Sequence, residues 1–314
     1  MRAAGIDTFG GAVRLMTLPD PRPLARDEVL IRVMAAGVGN WDEFARVGDW
    51  DIGRRPPMAL GVEAAGVITA VGEGVSRWVP GDEVMTHGVP VREQGAWSEQ
   101  LLAAGDALAV KPEDTPWDEA AAFPVPALTA AQALEAAPSP TAGDLLLVSG
   151  AGGVTGGMIA ALACLRGNRV IATAGPTSSE RLKQLGVEIV LDYHDPDWPQ
   201  AVLALTQGAG VTAAINAARG GEAATLGAVA DGGRFATITG APPDPERGVS
   251  IKDVYVRPDG EQLCELAGLL APRELELSVA AVHPLERAAE ALTLVTRRCA
   301  KGAVVIHPRR RSRT

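Results

Sequence analysis

The sequence is poor in the residues that hold structural metals or build disulfide frameworks. Its 314 residues include 3 cysteines and 4 histidines, and Cys164, Cys264 and Cys299 lie far apart along the chain. An odd, scattered set of cysteines indicates a reducing compartment rather than a disulfide-bonded scaffold. Residues 1–7 carry no apolar signal-peptide core, so we expect a cytoplasmic protein.

Long apolar runs and an excess of positive charge are also missing. No uninterrupted stretch of about 18 apolar residues occurs, which argues against a spanning helix and a membrane partner. The formal net charge of −9 argues against a general nucleic-acid surface. The exception is the basic stretch 309–313, which has two interpretations: an anion- or RNA-binding end, or a solvated, disordered tail.

Aromatic residues make up 4% of the chain, whereas hydrophobic residues make up 47%. Abundant alanine, glycine and valine are typical of a closely packed α/β protein. Strand and turn signals, such as Glu28–Val33 and the turn at Pro80–Val84, predict a small irregular β-barrel in the first third. From about Thr115 the pattern changes to alternating strands and helices.

The alternation predicts a doubly wound parallel sheet with helices on both faces, an α/β fold. In this second region we expect strands at 145–148, 169–173, 188–191, 211–215 and 234–238, and helices at 154–165, 179–185 and 222–229. Ser178 or Ser179 is the expected cap of the second of these helices. Beyond residue 260 we expect a helix at 260–270, a strand at 275–282, a helix at 284–296 and a final strand at 303–306.

The strongest chemical signal is a glycine-rich loop between the first strand and first helix of this region. It comprises Gly150, Ala151, Gly152, Gly153 and Val154 and continues to Gly156. Glycines allow a tight turn and close approach to a pyrophosphate, while the helix start offers free N–H groups. The spacing is not a strict GxGxxG, and a glycine-rich turn without a nucleotide is the alternative. The βαβ context favours a dinucleotide site.

The end of the second strand indicates which dinucleotide binds. NAD sites usually place an acidic side chain there to hold the ribose hydroxyls, and this chain has none. The nearby polar residues that suit a 2′-phosphate are Thr173, Thr177, Ser178, Arg181 and Lys183. These residues favour NADPH; the alternative is that the two basic ones only line a solvated helix face.

Several short motifs, each weak alone, occur in a specific order along nearly the whole chain. They are Gly37–Asp42, Gly61–Ile68, Pro80–Val84, Gly95–Glu99, Phe123–Ala130, the glycine loop and Lys301–Ile306. In this order the chain resembles the medium-chain dehydrogenase/reductase superfamily, and within it the zinc-free quinone oxidoreductase (zeta-crystallin-like) branch. The resemblance implies a GroES-like catalytic domain at 1–118, a Rossmann NADPH-binding domain at 119–258 and a return segment at 259–314.

The resemblance also implies how a cofactor would lie, in a cleft with the nicotinamide at its base. It implies Thr129 near the nicotinamide, Tyr193 near the adenosine end, and Ala217, Thr239 and Gly240 along the cofactor path. Taken alone, Thr129 is equally compatible with a helix cap and Tyr193 with a buried packing ring. Relatives commonly form homodimers through the sheet edge of the cofactor domain, here expected near 234–240.

Zinc-dependent members of the superfamily use a Cys, a His-Glu pair and a further Cys or Asp at the catalytic metal. The corresponding positions here read Gly39 and Gly61-Val62-Glu63, and no cysteine cluster lies near 85–105. Zinc needs three or four N, S or O ligands. His87 is interpreted as a loop residue, so we expect no metal.

Without zinc, hydride addition to an activated alkene or quinone is easier than alcohol oxidation. The candidate catalytic residues lie on the expected barrel loop: Asn40, Trp41 and Asp42. Many relatives carry Asn at the position of Gly39 and Tyr at that of Phe44, so the usual proton donor is absent. Asn40 is the expected hydrogen-bond donor, and solvent is the expected source of the proton. Trp41 either walls the pocket or packs in the core, and Asp42 is expected to be a structural hydrogen-bonding residue.

The sequence therefore predicts an NADPH-dependent reductase of a small enone or quinone. Two alternatives remain open at this point. One is an enoyl reductase dedicated to a secondary-metabolite pathway such as polyketide synthesis. The other is a non-catalytic nucleotide-binding protein.

Overall fold

The computed structural model describes residues 1–138 and 144–309, and the described chain divides into two compact units. Among the described residues, unit 1 comprises those within 1–125 and 257–314, and unit 2 comprises those within 126–256. Of the basic stretch 309–313, for which the sequence left two interpretations, residues 310–313 lie outside the described residues. Within the described residues, no helix combines the length and apolar character needed to cross a membrane.

Unit 1 is built mainly from short antiparallel strands. In its N-terminal part these are β1 (Arg2–Ile6), β2 (Arg14–Thr17), β3 (Glu28–Val38), β4 (Met58–Ala59), β5 (Glu63–Val71), β6 (Glu83–His87), β7 (Gln100–Ala104) and β8 (Leu108–Val110). Its helices here are α1 (Asn40–Val47) and α2 (Trp117–Ala122), with a 3₁₀ turn at Gly105–Ala107. Helix α3 (Pro124–Ala136) begins in unit 1 and continues into unit 2.

Unit 2 alternates strands and helices. Its strands are β9 (Leu145–Ser149), β10 (Arg169–Ala174), β11 (Ile189–Asp192), β12 (Val211–Asn216), β13 (Val229–Thr237) and β14 (Ser250–Asp253). Its helices are α4 (Val154–Leu165), α5 (Pro176–Gln184), α6 (Trp198–Leu205) and α7 (Glu222–Gly227). The chain returns to unit 1 through α8 (Gly260–Ala267), β15 (Val279–Pro284), a 3₁₀ turn at Leu285–Arg287, α9 (Ala288–Thr296) and β16 (Ala303–His307).

Strand order fixes where each unit can carry a site. In unit 1 the described strands form a sheet in the order β15-β16-β3-β5-β6-β8, with β7 also on β3, and a smaller sheet β2-β1-β4. In unit 2 the described strands run β11-β10-β9-β12-β13-β14, and every neighbouring pair is parallel. The order reverses direction between β9 and β12. In open α/β sheets, ligands bind outside the carboxyl ends of the strands at such a reversal.

Apolar side chains explain why the parallel sheet forms. β9 reads Leu-Leu-Leu-Val-Ser and is almost wholly buried, as expected for a strand covered on both faces. Its Leu147 packs in one core with Phe235 and Val202, from β13 and α6. Burial of such side chains is the main favourable term in folding. In unit 1 the largest fully buried side chains include Trp97 and Phe123.

The predicted fold class is confirmed: a doubly wound parallel sheet accompanies an irregular β-rich unit. Helix α4 has the predicted bounds. Several local predictions were wrong. Asn40–Val47 is a helix rather than a loop, and α5 begins after Gly175, so neither Ser178 nor Ser179 caps it. The expected strand at 275–282 is β15, at 279–284, and the helix expected from 284 begins as the 3₁₀ turn before α9.

The sheet edge also differs from the expectation. β13 was expected near the exposed edge, at 234–240, but β14 pairs alongside it from Ser250 to Asp253. Within the described residues β14 is therefore the outer strand on that side. A four-residue strand that follows the loop 238–249 has little local signal, which is why the sequence did not predict it.

Candidate dinucleotide and active-site residues

The glycine loop follows β9 at the point where the strand order reverses. Gly150 adopts a positive φ of 80°, which favours glycine. Its amide donates to Thr173 Oγ1 at 3.0 Å, and the amide of Ala151 donates to the Thr173 carbonyl at 2.9 Å. The loop is thus tied to the end of β10. Thr173 is buried, and its hydroxyl also contacts Ser149 Oγ at 3.3 Å.

Helix α4 begins directly after this loop without a side-chain cap. Its N-cap is Gly153, and no side chain accepts from the first amides. Those amides have no intrahelical partners, and the helix start carries partial positive charge. A Cβ on Gly156 would overlap the Gly150 carbonyl, so only glycine lets loop and helix pack this closely. The arrangement fits an anion such as a pyrophosphate.

Two predicted cofactor residues on α5 face this loop. A Cβ on Gly152 would lie 3.4 Å from Ser178 Oγ, which places the hydroxyl beside the loop. Arg181 Nη2 donates to the Gly152 carbonyl at 3.2 Å and to the Ala151 carbonyl at 3.5 Å. Burial lowers the pKa of Arg181. Lys183, which the sequence also offered as a residue that suits a 2′-phosphate, is exposed on the same helix.

Tyr193 and His194 lie beyond the end of β11. Their ring centroids are 4.0 Å apart, and a Cβ on Gly175 would lie 3.5 Å from the tyrosine ring and 3.6 Å from the imidazole. Tyr193 is 56% exposed, so its alternative interpretation as a buried packing ring is wrong. His194 Nδ1 lies 2.7 Å from Asp192 Oδ1, and the His194 amide donates to the same oxygen at 3.0 Å. These bonds lower the pKa of Asp192.

The remaining predicted cofactor residues of unit 2 follow β12 and β13. The Ala217 amide donates to the Ser149 carbonyl at 2.8 Å, which brings Ala217 beside the glycine loop. Thr239 Oγ1 donates to Glu222 Oε1 at 2.7 Å, and Gly240 lies next to the Tyr255 hydroxyl.

Thr129 lies six residues into α3, so the alternative that it caps a helix is wrong. Its side chain is buried, with 6% of its surface exposed. The position remains a prediction for the nicotinamide end.

The structure adds polar residues that sequence reasoning missed at the carboxyl ends of β12 and β14. Asn216 is buried; its Nδ2 donates to Thr237 Oγ1 at 3.3 Å, and its Oδ1 accepts from the Ala218 amide at 3.2 Å. Asp253 accepts from the Tyr255 hydroxyl, while burial raises the pKa of Asp253. A polar residue at the carboxyl end of each core strand is the sequence signal that would have found them.

In unit 1 the three predicted catalytic residues form the first turn of α1. Asn40 is exposed, and Trp41 is half-buried with its indole folded over Gly39. A Cβ at residue 39 would overlap that indole, so the glycine and the tryptophan depend on each other. Asp42 is wholly buried, and its Oδ2 accepts from the Gly39 amide at 2.8 Å.

Asp42 belongs to a buried acidic cluster. Burial raises its pKa to about 8, opposed by the amides of Gly39 and Gly61. Glu63 accepts from the Val125 amide at 2.8 Å through Oε2, at the start of α3. Burial raises the pKa of Glu63 well above its usual value, and Asp42 raises it further by charge repulsion. Both carboxyl groups are thus driven toward their neutral forms.

His87 was interpreted as a loop residue, and this was wrong. It ends β6, is fully buried and pairs in register with Glu63 of β5. Its Nδ1 lies 3.1 Å from the Val62 carbonyl. In the described part of the chain, no three His, Cys, Asp or Glu side chains are grouped so that they would hold a metal ion.

Comparisons with known proteins give the family. The alcohol dehydrogenase GroES-like domain matches residues 25–113, and the zinc-binding dehydrogenase profile matches 185–306. Quinone oxidoreductase from Sus scrofa is 29% identical over 309 residues, 93% of this chain and 92% of that protein.

Solved structures agree. An NAD-dependent alcohol dehydrogenase is 30% identical, with a TM-score of 0.86 over 98% of this chain and 99% of that one. A mycobacterial protein in complex with NADPH is 27% identical, with a TM-score of 0.85 over 98% and 100%. Fold and site together define an oxidoreductase of the dinucleotide-binding class. The chain belongs to the medium-chain dehydrogenase/reductase superfamily, on its quinone oxidoreductase branch.

Proposed function

We propose that the protein is an NADPH-dependent reductase that transfers hydride to a quinone or an α,β-unsaturated carbonyl compound without zinc. The observation that carries the proposal is the glycine loop at the strand reversal, followed by the uncapped start of α4. A site of this form suits the pyrophosphate of a dinucleotide. The relatives named quinone oxidoreductase supply the substrate class.

The preference for NADPH rests on the end of β10. Ala174 and Gly175 carry no carboxylate to hold a ribose hydroxyl pair. Asp192, opposite Ala174 on the neighbouring strand, is already engaged by His194. The hydroxyl of Ser178 lies at the loop and suits a 2′-phosphate.

In the proposed reaction the main contribution of the protein is to orient the substrate and the cofactor. When bound, NADPH supplies the hydride. Asn40 is exposed at the start of α1 and offers an amide N–H to the substrate oxygen as negative charge develops there. Solvent supplies the proton, because Phe44 has no hydroxyl. Gly39 and Val62 offer no side-chain ligand for zinc.

Steady-state kinetics test the proposal directly. The purified protein should oxidise NADPH in the presence of 1,4-benzoquinone or a simple enone, with a lower KM for NADPH than for NADH, and elemental analysis should find no stoichiometric zinc. A clear preference for NADH would reverse the cofactor assignment. Tight nucleotide binding without turnover of any acceptor would instead support a non-catalytic nucleotide-binding protein.

We also propose a cytoplasmic homodimer with β14 as the contacting edge. An outer strand has unpaired N–H and C=O groups that a second copy can satisfy. Light scattering on the purified protein should give twice the mass of the chain, and a monomer at micromolar concentration would refute the homodimer.

A further inference from the structure

Arg181 has an unusual environment for a cation. Its side chain is half-buried, and its guanidinium donates only to the carbonyls of Ala151 and Gly152. Among the ion pairs of the described chain, none involves Arg181. Burial lowers its pKa with no acid to offset that effect. A partly buried cation without a counter-charge is costly unless an anion approaches it.

The neighbouring helix leaves room for this guanidinium. A Cβ at Gly157 of α4 would lie 2.9 Å from Arg181 Nη1. The same Cβ would lie 3.2 Å from the Ala151 carbonyl oxygen, so a larger residue at 157 would displace the flexible end of the arginine and press on one of the two carbonyls that it holds. The absence of a side chain at Gly157 therefore leaves room for the guanidinium of Arg181. The absence of one at Gly156 lets the loop pack against the helix.

Peptide geometry links Arg181 to the loop amides. In a trans peptide the C=O and the following N–H point in opposite directions. Holding the Ala151 carbonyl toward Arg181 therefore turns the Gly152 amide away from it. The amide of Gly153 closes the turn by donating to the Gly150 carbonyl at 3.2 Å. One side of the loop thus faces the guanidinium of Arg181. The opposite side presents the Gly152 amide and continues into the uncapped start of α4.

We propose that Arg181 is a positioning residue for the dinucleotide diphosphate: it holds the loop carbonyls from behind and supplies the positive charge that a bound diphosphate balances. The inference rests on the proposed nucleotide site but assigns Arg181 a different role from contact with a 2′-phosphate. The two roles are separable. A 2′-phosphate contact affects NADPH alone, whereas loop positioning affects NADPH and NADH by the same factor.

The test is calorimetric titration of the full-length protein with NADPH, NADH and ADP-ribose. Arg181→Met should weaken all three by a similar factor of about ten, as expected for loss of hydrogen bonds from a charged group. Arg181→Lys, which keeps the charge but not the two-carbonyl contact, should lie between. Lys183→Met removes an exposed cation from the same helix and should change each affinity less than about twofold.

A second variant separates positioning from simple destabilisation. Gly157→Ala should weaken the binding of NADPH and NADH about equally, because its methyl group crowds both Arg181 Nη1 and the Ala151 carbonyl. The unfolding temperature should change little, because the higher helix propensity of alanine offsets the crowding. In the double variant with Arg181→Met, the loss of nucleotide affinity should be smaller than the sum of the two single losses, because both substitutions act on the contact of Arg181 with the loop carbonyls. Additive losses, or a Gly157→Ala variant with wild-type affinity, would overturn the inference.

The outcomes distinguish this inference from the proposed function. If the wild-type protein binds neither nucleotide, the proposed function fails and this inference with it. If the wild type binds both and Arg181→Met loses affinity for NADPH alone, Arg181 contacts the 2′-phosphate and only the inference is refuted. Unchanged affinity in a folded Arg181→Met variant also refutes it.

Discussion

Two helix starts in this molecule begin alike and differ in whether a side chain accepts from the amide of the N-cap glycine. Both α1 and α4 begin with an extended glycine, Gly39 and Gly153. At α1 the carboxyl group of Asp42, in the first turn, accepts from the amide of the N-cap residue Gly39. At α4 no side chain does so. The comparison indicates that a helix start whose amide is held by a side chain of the same helix has a structural role. A helix start without such a side chain, beside a glycine loop, is available to an external anion.

The two regions also differ in the charge that they bury. Unit 1 buries the acids Asp42 and Glu63, which burial drives toward neutrality. Unit 2 partly buries Arg181, which stays charged because the pKa of a guanidinium is so high. The half-buried guanidinium of Arg181 therefore keeps a positive charge beside the glycine loop that a bound anion can balance.

The largest effect is expected from closing the open helix start. Gly156→Ala places a methyl group on the Gly150 carbonyl, so affinity for NADPH and NADH should fall at least about 100-fold, with about 1–3 kcal/mol of destabilisation. Gly227→Ala is the matched control, because nothing lies within 4 Å of its added Cβ. Calorimetry and thermal unfolding measure both effects. A Gly156→Ala variant with normal affinity would remove the basis of the comparison.

The satisfied helix start should respond to pH instead. The folded-state pKa of Asp42 is raised to about 8 from 3.8, so the folded protein holds this proton more tightly than the unfolded chain. Asp42 therefore lowers stability progressively as pH rises from about 4 to 8, and the loss is constant above that range.

Asp42→Asn should remove this dependence of folding stability on pH, while the amide oxygen of the new side chain still accepts from the Gly39 amide. The variant should be about 2–4 kcal/mol more stable than wild type at pH 9 and nearly equal at pH 4. Denaturant unfolding at several pH values measures this, with the exposed Asp49→Asn as control. Equal pH dependence in wild type and Asp42→Asn would show that the carboxyl group is ionised in the folded protein.

A smaller effect is expected from the exposed residue next to the satisfied helix start. Asn40→Ala should lower kcat about tenfold, because one hydrogen bond to the developing oxyanion is lost, and leave the Kd for NADPH unchanged. Asn40→Asp should lower kcat further, because its carboxylate repels the same charge. Unchanged turnover in the alanine variant would exclude Asn40 from the mechanism.

The sequence predicted the parts of the fold that have regular local patterns. The apolar run 145–148 predicted β9, which extends to Ser149, and the glycine loop before an apolar segment predicted the helix 154–165. Helix α1 was missed because its eight residues, rich in polar side chains, resemble a loop. The edge strand β14 was missed because four residues carry too little periodicity.

The residues of the candidate site also divide into those with a local sequence pattern and those without one. The glycine loop has a sequence signature, so its place between β9 and α4 was predicted without a structure, and its role as a nucleotide site stays a prediction. The proximity of Asp42 and Glu63 was not predictable, because strand pairing brings together residues that no local pattern connects. The contact of Arg181 with the loop also depends on how α5 packs, and the sequence shows only that a basic residue is there.

Calorimetric titration of the wild-type protein with NADPH tests the central claim most directly. We expect a 1:1 complex with a Kd of about 1 μM or lower, and a Kd at least about 100-fold higher for the same nucleotide with Gly156→Ala. A folded wild-type protein that gives no binding signal with either NADPH or NADH would contradict the assignment of the open helix start as a dinucleotide site.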